Sequence, residues 1–150
     1  MLLHIENLTA GYGDLHVLED VNIEIGSGEF VVLIGPNGAG KSTVLKSVYG
    51  LTTKTKGRIL FDGTDITTLS THLLIEQGIG FVPQGRLVFS SLTVSENLEI
   101  GGYLIDHKKT LEQNIEHVYT TFPILREKRR ELAGNLSGGQ QQQLAVGRSL

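Results

Sequence analysis

The chain predicts an α/β fold: a strand–loop–helix core, an antiparallel β portion ahead of it and a helical insert behind it. Three observations carry that reading. Phe30-Val31-Val32-Leu33-Ile34 is a short, wholly apolar run, as a buried parallel strand is, and it opens directly into the glycine-rich stretch Gly35 to Gly40. Before it, apolar residues alternate with polar ones at the period of half-buried strands. After residue 93 the period changes to that of helices.

Taken in order, Leu3 to Thr9 reads as a strand, Gly11-Tyr12-Gly13-Asp14 as a turn, and the alternation of Val21, Ile23 and Ile25 as a second strand. Gly26-Ser27-Gly28-Glu29 returns the chain into the run at Phe30, so the opening is antiparallel. Val44, Leu45 and Val48 lie at helical spacing, with Gly50 as the stop. Gly57 to Gly63 is a strand ending in an Asp62-Gly63 turn. Ser70 to Gln77 is a short helix stopped by Gly78, and Ile79-Gly80-Phe81-Val82-Pro83 is a second buried-type strand. Thr93-Val94-Ser95-Glu96 has the form of a capping box and opens a helix. Leu111, Ile115, Val118 and Phe122 line one face of a further helix ending at Pro123. Arg126 to Glu131 is a charged stretch that reads as a solvated helix face. Leu136-Ser137-Gly138-Gly139-Gln140 begins a last helical run, with Ser137 as its N-cap. The expected division is a β-rich core portion over 1–92, a helical subdomain over 93–135, and a motif with the start of its helix over 136–150.

The chemistry sits first in Gly35-Pro36-Asn37-Gly38-Ala39-Gly40-Lys41-Ser42-Thr43, which fits the phosphate-binding template G-x-x-x-x-G-K-[S/T] at every fixed position. Its glycines let the backbone turn tightly and aim successive N–H groups at an anion. Lys41 adds a point charge for the β- and γ-phosphates, and the Ser42 hydroxyl is a ligand for Mg²⁺. Strand, loop, helix is the order this mechanism needs, because the helix N-terminus adds partial positive charge to the anion site. The reading is a nucleotide site.

Bulk properties limit the alternatives. One domain fits 150 residues. A net charge of −3 provides no global basic field for nucleic acid. With no cysteine there is no disulfide framework, thiolate metal site or Cys nucleophile. The N-terminus meets Glu6 too soon for a signal segment, and no apolar run reaches the about 18 residues of a membrane span. Any membrane role goes through a partner.

Read with the phosphate loop, the motif at Leu136 to Gln140 makes the chain resemble, over essentially its whole length, the ATP-binding subunits of ABC transporters. The resemblance implies a P-loop NTPase (RecA-like) core binding ATP with Mg²⁺. In it Tyr12 matches the aromatic residue that stacks on adenine, and Gly35 to Thr43 the Walker A loop. Gln84 matches the Q-loop glutamine, which touches Mg²⁺ and couples to membrane subunits, and Leu136 to Gln140 the signature motif. In such proteins Ser137, Gly138, Gly139 and Gln140 of one subunit would cover ATP held by the Walker A loop of a second subunit, in a head-to-tail dimer. The resemblance also implies membrane permease subunits as partners, and a peripheral place on the cytoplasmic face of the inner or plasma membrane. Val82-Pro83-Gln84-Gly85-Arg86-Leu87-Val88-Phe89, Val118 to Pro123 and Gln140 to Arg148 are similar to the LivF-type subunits of branched-chain amino acid importers. Urea and short-amide importers share the Pro-Gln-Gly-Arg element, and non-transport ABC ATPases acting on nucleic acid or ribosomes form a second class.

The family pattern continues past the signature helix into a strand ending in Asp-Glu, a D-loop and a switch histidine, which residues 1–150 do not contain. Asp62 after Ile59-Leu60-Phe61 has the apolar-then-acid look, but Gly63 follows it and it precedes Gln84. The expectations are a core incomplete at the C-terminus, ATP binding without appreciable hydrolysis by these residues alone, and exposed apolar surface at Phe30 to Ile34.

Overall fold

A computed structural model describes residues 1–85 and 87–150, and these separate into two compact units, Met1–Ile79 and Gly80–Leu150. In the first unit, strands β1 (Leu3–Tyr12), β2 (Leu15–Ile25), β3 (Thr53–Phe61) and β4 (Thr64–Asp65) form one antiparallel sheet in the order β2-β1-β3-β4. β1 runs three residues further than expected, because Gly11 and Tyr12 remain paired with His16 and Leu15, so the turn shrinks to Gly13-Asp14. The Asp62-Gly63 turn is as expected: φ is positive at both residues (46° and 77°), the two-residue hairpin geometry that matches strand twist.

Alternation along these strands changes phase midway, and backbone geometry explains it. In β1 the buried apolar side chains are Ile5, then Leu8 and Ala10; in β2 Leu18, then half-buried Val21, Ile23 and Ile25. In β3 half-buried Lys54 gives way to buried Ile59. Between each pair lies a residue at positive φ: Asn7 (46°), Asp20 (49°) and Gly57 (81°). An extra residue at a bulge moves every later side chain to the other face, so the apolar set stays on the core side only if the sequence parity shifts with it. Asn22 secures two of these bulges, its Oδ1 accepting from Asn7 N–H at 2.8 Å and its Nδ2 donating to Asp20 O at 3.0 Å. At Gly57 a Cβ would lie 2.3 Å from Glu6 O, so no side chain fits there.

The core of this unit joins Ile5, Leu8, Ala10, Leu18, Ile59 and Ile66 to Val44 of α1 (Lys41–Val48) and Leu74 of α2 (Thr71–Glu76). α1 stops as expected: Leu51 N–H reaches Lys46 O and Gly50 N–H reaches Ser47 O, while Lys54 Nζ donates to Ser47 O at 3.2 Å. Two expected strands are absent. Phe30 to Ile34 and Ile79 to Pro83 form no strand, and Phe30 and Ile34 are 93% and 91% exposed. A parallel strand needs flanking strands, and the sheet is built wholly from other segments in antiparallel register. Only Leu33 of the first run packs against the core. The expected exposure of this run is present.

The second unit is helical: α3 (Val94–Gly101), α4 (Lys108–Thr121), α5 (Pro123–Glu127), a 3₁₀ turn at Ala133–Asn135 and α6 (Gly138–Gly147). Thr93 caps α3 with the expected box, its Oγ1 accepting from Glu96 N–H at 3.2 Å while Glu96 Oε2 accepts from Thr93 N–H at 2.7 Å. Pro123 ends α4 and also opens α5, where its fixed φ and missing N–H suit the first position. Only the first part of the charged stretch is helical; Lys128 to Arg130 form a turn, with Lys128 paired to Glu131 at 2.9 Å. Val94, Leu98, Val118, Tyr119, Leu125, Ala133, Leu136 and Leu144 make the core. Among the described residues no helix is long and apolar enough to cross a membrane.

Candidate functional site

In the first unit the loop from Gly35 leads into α1, whose first residues are Lys41 and Ser42. Gly40 is the N-cap at φ 82°, and a Cβ there would lie 2.8 Å from Leu18 Cδ2 and 3.6 Å from Val17 O. Both the dihedral and the space restrict this position to glycine. The contact also seats the loop on β2, beside the buried Leu18. Gly35, Pro36, Asn37, Gly38 and Ala39 are exposed, as is Ser42, whereas Thr43 is buried and its carbonyl accepts from Ser47 Oγ at 2.7 Å. Lys41 Nζ donates to Gly35 O at 2.7 Å and Pro36 O at 2.6 Å, so the ammonium folds over the loop it serves. An exposed glycine-rich loop, a helix N-terminus and an ammonium beside them are groups that can receive an anion.

Tyr12 belongs to the same unit. It is 44% exposed, at the end of β1, and pairs with Leu15 across the hairpin. The hairpin is tight at that point, since a Cβ on Gly11 would overlap Leu15 O at 1.8 Å. Lys46 Nζ of α1 lies 5.6 Å from the centre of the Tyr12 ring, within cation–π range. Sequence reading missed Lys46, because a basic residue in the last turn of a helix reads as a partner for the helix dipole.

The second unit holds the other expected residues. Gln84 is exposed, in a bend followed by Gly85. Arg86 of the same element lies outside the described residues. Ser137 is the N-cap of α6: its Oγ accepts from Gln140 N–H at 3.4 Å, and Gln140 Oε1 accepts from Ser137 N–H at 2.9 Å. Gln140 therefore has a local capping role that its place in the motif does not reveal. Gly139 is exposed, with open space where a Cβ would stand. At the far end of α6, Arg148 donates to Leu87 O at 2.7 Å and lies 4.5 Å over the Phe89 ring. Burial lowers its pKa from the ordinary guanidinium value. Asn97, fully buried, holds the segment before α3: its Oδ1 accepts from Phe89 N–H at 2.8 Å and its Nδ2 donates to Phe89 O at 3.0 Å and Thr93 O at 2.9 Å. Neither Asn97 nor Arg148 has a periodic sequence signal.

Over 149 residues the chain is 42% identical to a probable branched-chain amino acid transport ATP-binding protein, LivF, of Archaeoglobus fulgidus. It is 41% identical to the high-affinity branched-chain amino acid transport ATP-binding protein BraG of Pseudomonas aeruginosa. Each alignment takes in 99% of this chain, which spans 63% and 64% of those relatives' own lengths. Among solved structures, a nucleotide-free ATP-binding cassette from an ABC transporter superposes with a TM-score of 0.85 at 29% identity, over 99% of this chain and 64% of the other. A dimeric bacterial ABC transporter cassette gives 0.82 at 29% identity, over 99% and 69%. The family model for ABC transporters matches residues 18–150. The fold is that of the ABC ATPase cassettes, and the chain belongs to the ABC transporter family.

Proposed function

We propose that the chain is the nucleotide-holding part of an ATP-binding subunit that couples ATP binding and hydrolysis to uptake of branched-chain amino acids. The observation that carries it is the glycine-rich stretch Gly35 to Thr43, with Lys41 folded over the loop and Ser42 exposed in the first turn of α1. Relatives named for branched-chain amino acid transport support the solute class.

In this reading the loop N–H groups take the phosphates, and Lys41 exchanges its contacts with Gly35 and Pro36 carbonyls for phosphate oxygens. Tyr12 stacks on the base. Ser42 of the first unit would be a ligand for Mg²⁺, its hydroxyl being a hard oxygen donor of the kind this ion prefers, and the Gln84 amide carbonyl of the second unit is a donor of the same kind. When bound, the ion neutralises phosphate charge. Ser137 and the Gly138 and Gly139 amides cover ATP on a second subunit, head to tail, and permease subunits anchor the pair peripherally at the cytoplasmic face. Residues 1–92 supply the core and Walker A loop, 93–135 the helical subdomain, and 136–150 the signature and its helix. Turnover needs a water-positioning carboxylate. The residues assigned here account for ATP binding.

Calorimetric titration with ATP–Mg²⁺ tests this. Lys41→Ala weakens binding about 10- to 100-fold, since a hydrogen bond to a charged group contributes about 1.5–3 kcal/mol. Ser137→Ala leaves monomer affinity unchanged and reduces ATP-driven dimerisation. A cooperatively melting chain that takes up no ATP would remove the nucleotide reading. Equal losses from the two substitutions would remove the two-chain site.

A further inference from the structure

We propose that Lys46 is a positioning residue for the nucleotide base, acting through Tyr12. The inference rests on the reading of Tyr12 as the base platform and adds a residue to that site. An aromatic side chain at a hairpin end has more than one staggered χ1 rotamer open to it unless something packs on the ring. Here the backbone position is fixed twice: β1 and β2 are pinched together at Gly11, and Gly40 sits on Val17 and Leu18 of the same hairpin. The hairpin and the phosphate loop are thereby held at a set separation. The ring is what remains to be oriented, and the side chain beside it is Lys46, with its ammonium 5.6 Å from the ring centre.

α1 makes this an economical arrangement. The helix that presents Lys41 and Ser42 at its first turn presents Lys46 in its last turn, so one rigid element addresses both the phosphates and the base platform. Lys46 makes no salt bridge with an acidic group among the described residues, and nothing there competes with the ring for its charge. A cation on one face of a tyrosine draws π density towards itself and leaves the opposite face for a base to stack upon. A base stacks on such a face whatever its edge, so Lys46 strengthens and orients stacking and does not by itself choose among bases.

The test separates base from phosphate. In the intact protein, affinities for ATP and for inorganic tripolyphosphate, which has no base, are measured by calorimetry for wild type, Lys46→Met, Lys46→Arg, Tyr12→Leu and the Lys46→Met/Tyr12→Leu double variant. Lys46→Met is expected to weaken ATP binding about two- to five-fold, the range of a partly exposed cation–π contact, with tripolyphosphate unchanged. Lys46→Arg restores the wild-type value, and on the Tyr12→Leu background Lys46→Met has no further effect. Equal losses for ATP and tripolyphosphate would make Lys46 a phosphate charge and overturn the proposal, as would an undiminished loss in the double variant. If Tyr12→Leu weakens ATP binding and Lys46→Met does not, the platform stands and the proposal falls. If Tyr12→Leu is silent for ATP, the platform itself is wrong and the proposal falls with it.

Discussion

Asn97 shows how one side chain can fix a loop. Fully buried, it answers both the N–H and the C=O of Phe89 and the carbonyl of Thr93. Its amide is the right group for this, offering an acceptor and two donors in one plane. Asn97→Ala leaves the Phe89 N–H and two carbonyls without that partner. Unsatisfied polar groups cost about 1–3 kcal/mol, so a denaturant melt should show a loss of stability of about that size. Lys41 and Lys46 are opposite cases. Both are single, half-buried charges on α1, and their effect is to be read in ligand affinity.

At the scale of elements, α3 and α6 start in the same way, with a hydroxyl at the N-cap answered by the third residue of the helix. The α3 box titrates. The Thr93 N–H, and then its hydroxyl, donate to the Glu96 carboxylate and hold its pKa below the ordinary carboxylate value. A lowered folded-state pKa contributes stability that is fully present above the unfolded value and is lost as pH falls through the folded one. The stability difference between wild type and Glu96→Ala should therefore be present at neutral pH and shrink as pH drops through and below the carboxylate range. Paired denaturant melts across that range check it; a difference that is constant with pH would mean the carboxylate is not the stabilising form. In the sheet, the three bulges act together as one device. Asn7, Asp20 and Gly57 shift strand parity on three adjacent strands, so that the twisted sheet keeps one apolar face.

At the scale of the molecule, the unusual feature is a run of five apolar residues, Phe30 to Ile34, that lies outside the sheet directly before the glycine-rich loop. Contiguous exposed apolar surface of this kind binds other apolar surface. A hydrophobic dye such as ANS should fluoresce with the native chain, and Phe30→Lys together with Ile34→Lys should reduce the signal while leaving the melting temperature unchanged, since neither side chain packs in the core. A fall in melting temperature would instead mean that the run carries folding energy. The same run shows where sequence reading went wrong. Its composition is that of a buried parallel strand, but composition records a preference for burial and not the presence of the strands that would satisfy it.

The sequence by itself determined the glycine-rich turn into α1, because Gly38 and Gly40 supply the positive φ that the turn needs locally. It determined the caps at Thr93 and Ser137 and the Asp62-Gly63 hairpin for the same reason: each is decided within four residues. Tertiary structure alone decided the rest. Bulges place the core residues of β1 to β3 out of simple alternation, packing on Leu18 seats the loop, Asn97 closes the segment before α3, and Lys46 meets Tyr12 only because β1 and α1 share a core. Most of these depend on partners distant in the chain, and even the Asn97 contacts, four and eight residues apart, follow no periodic pattern that would specify them.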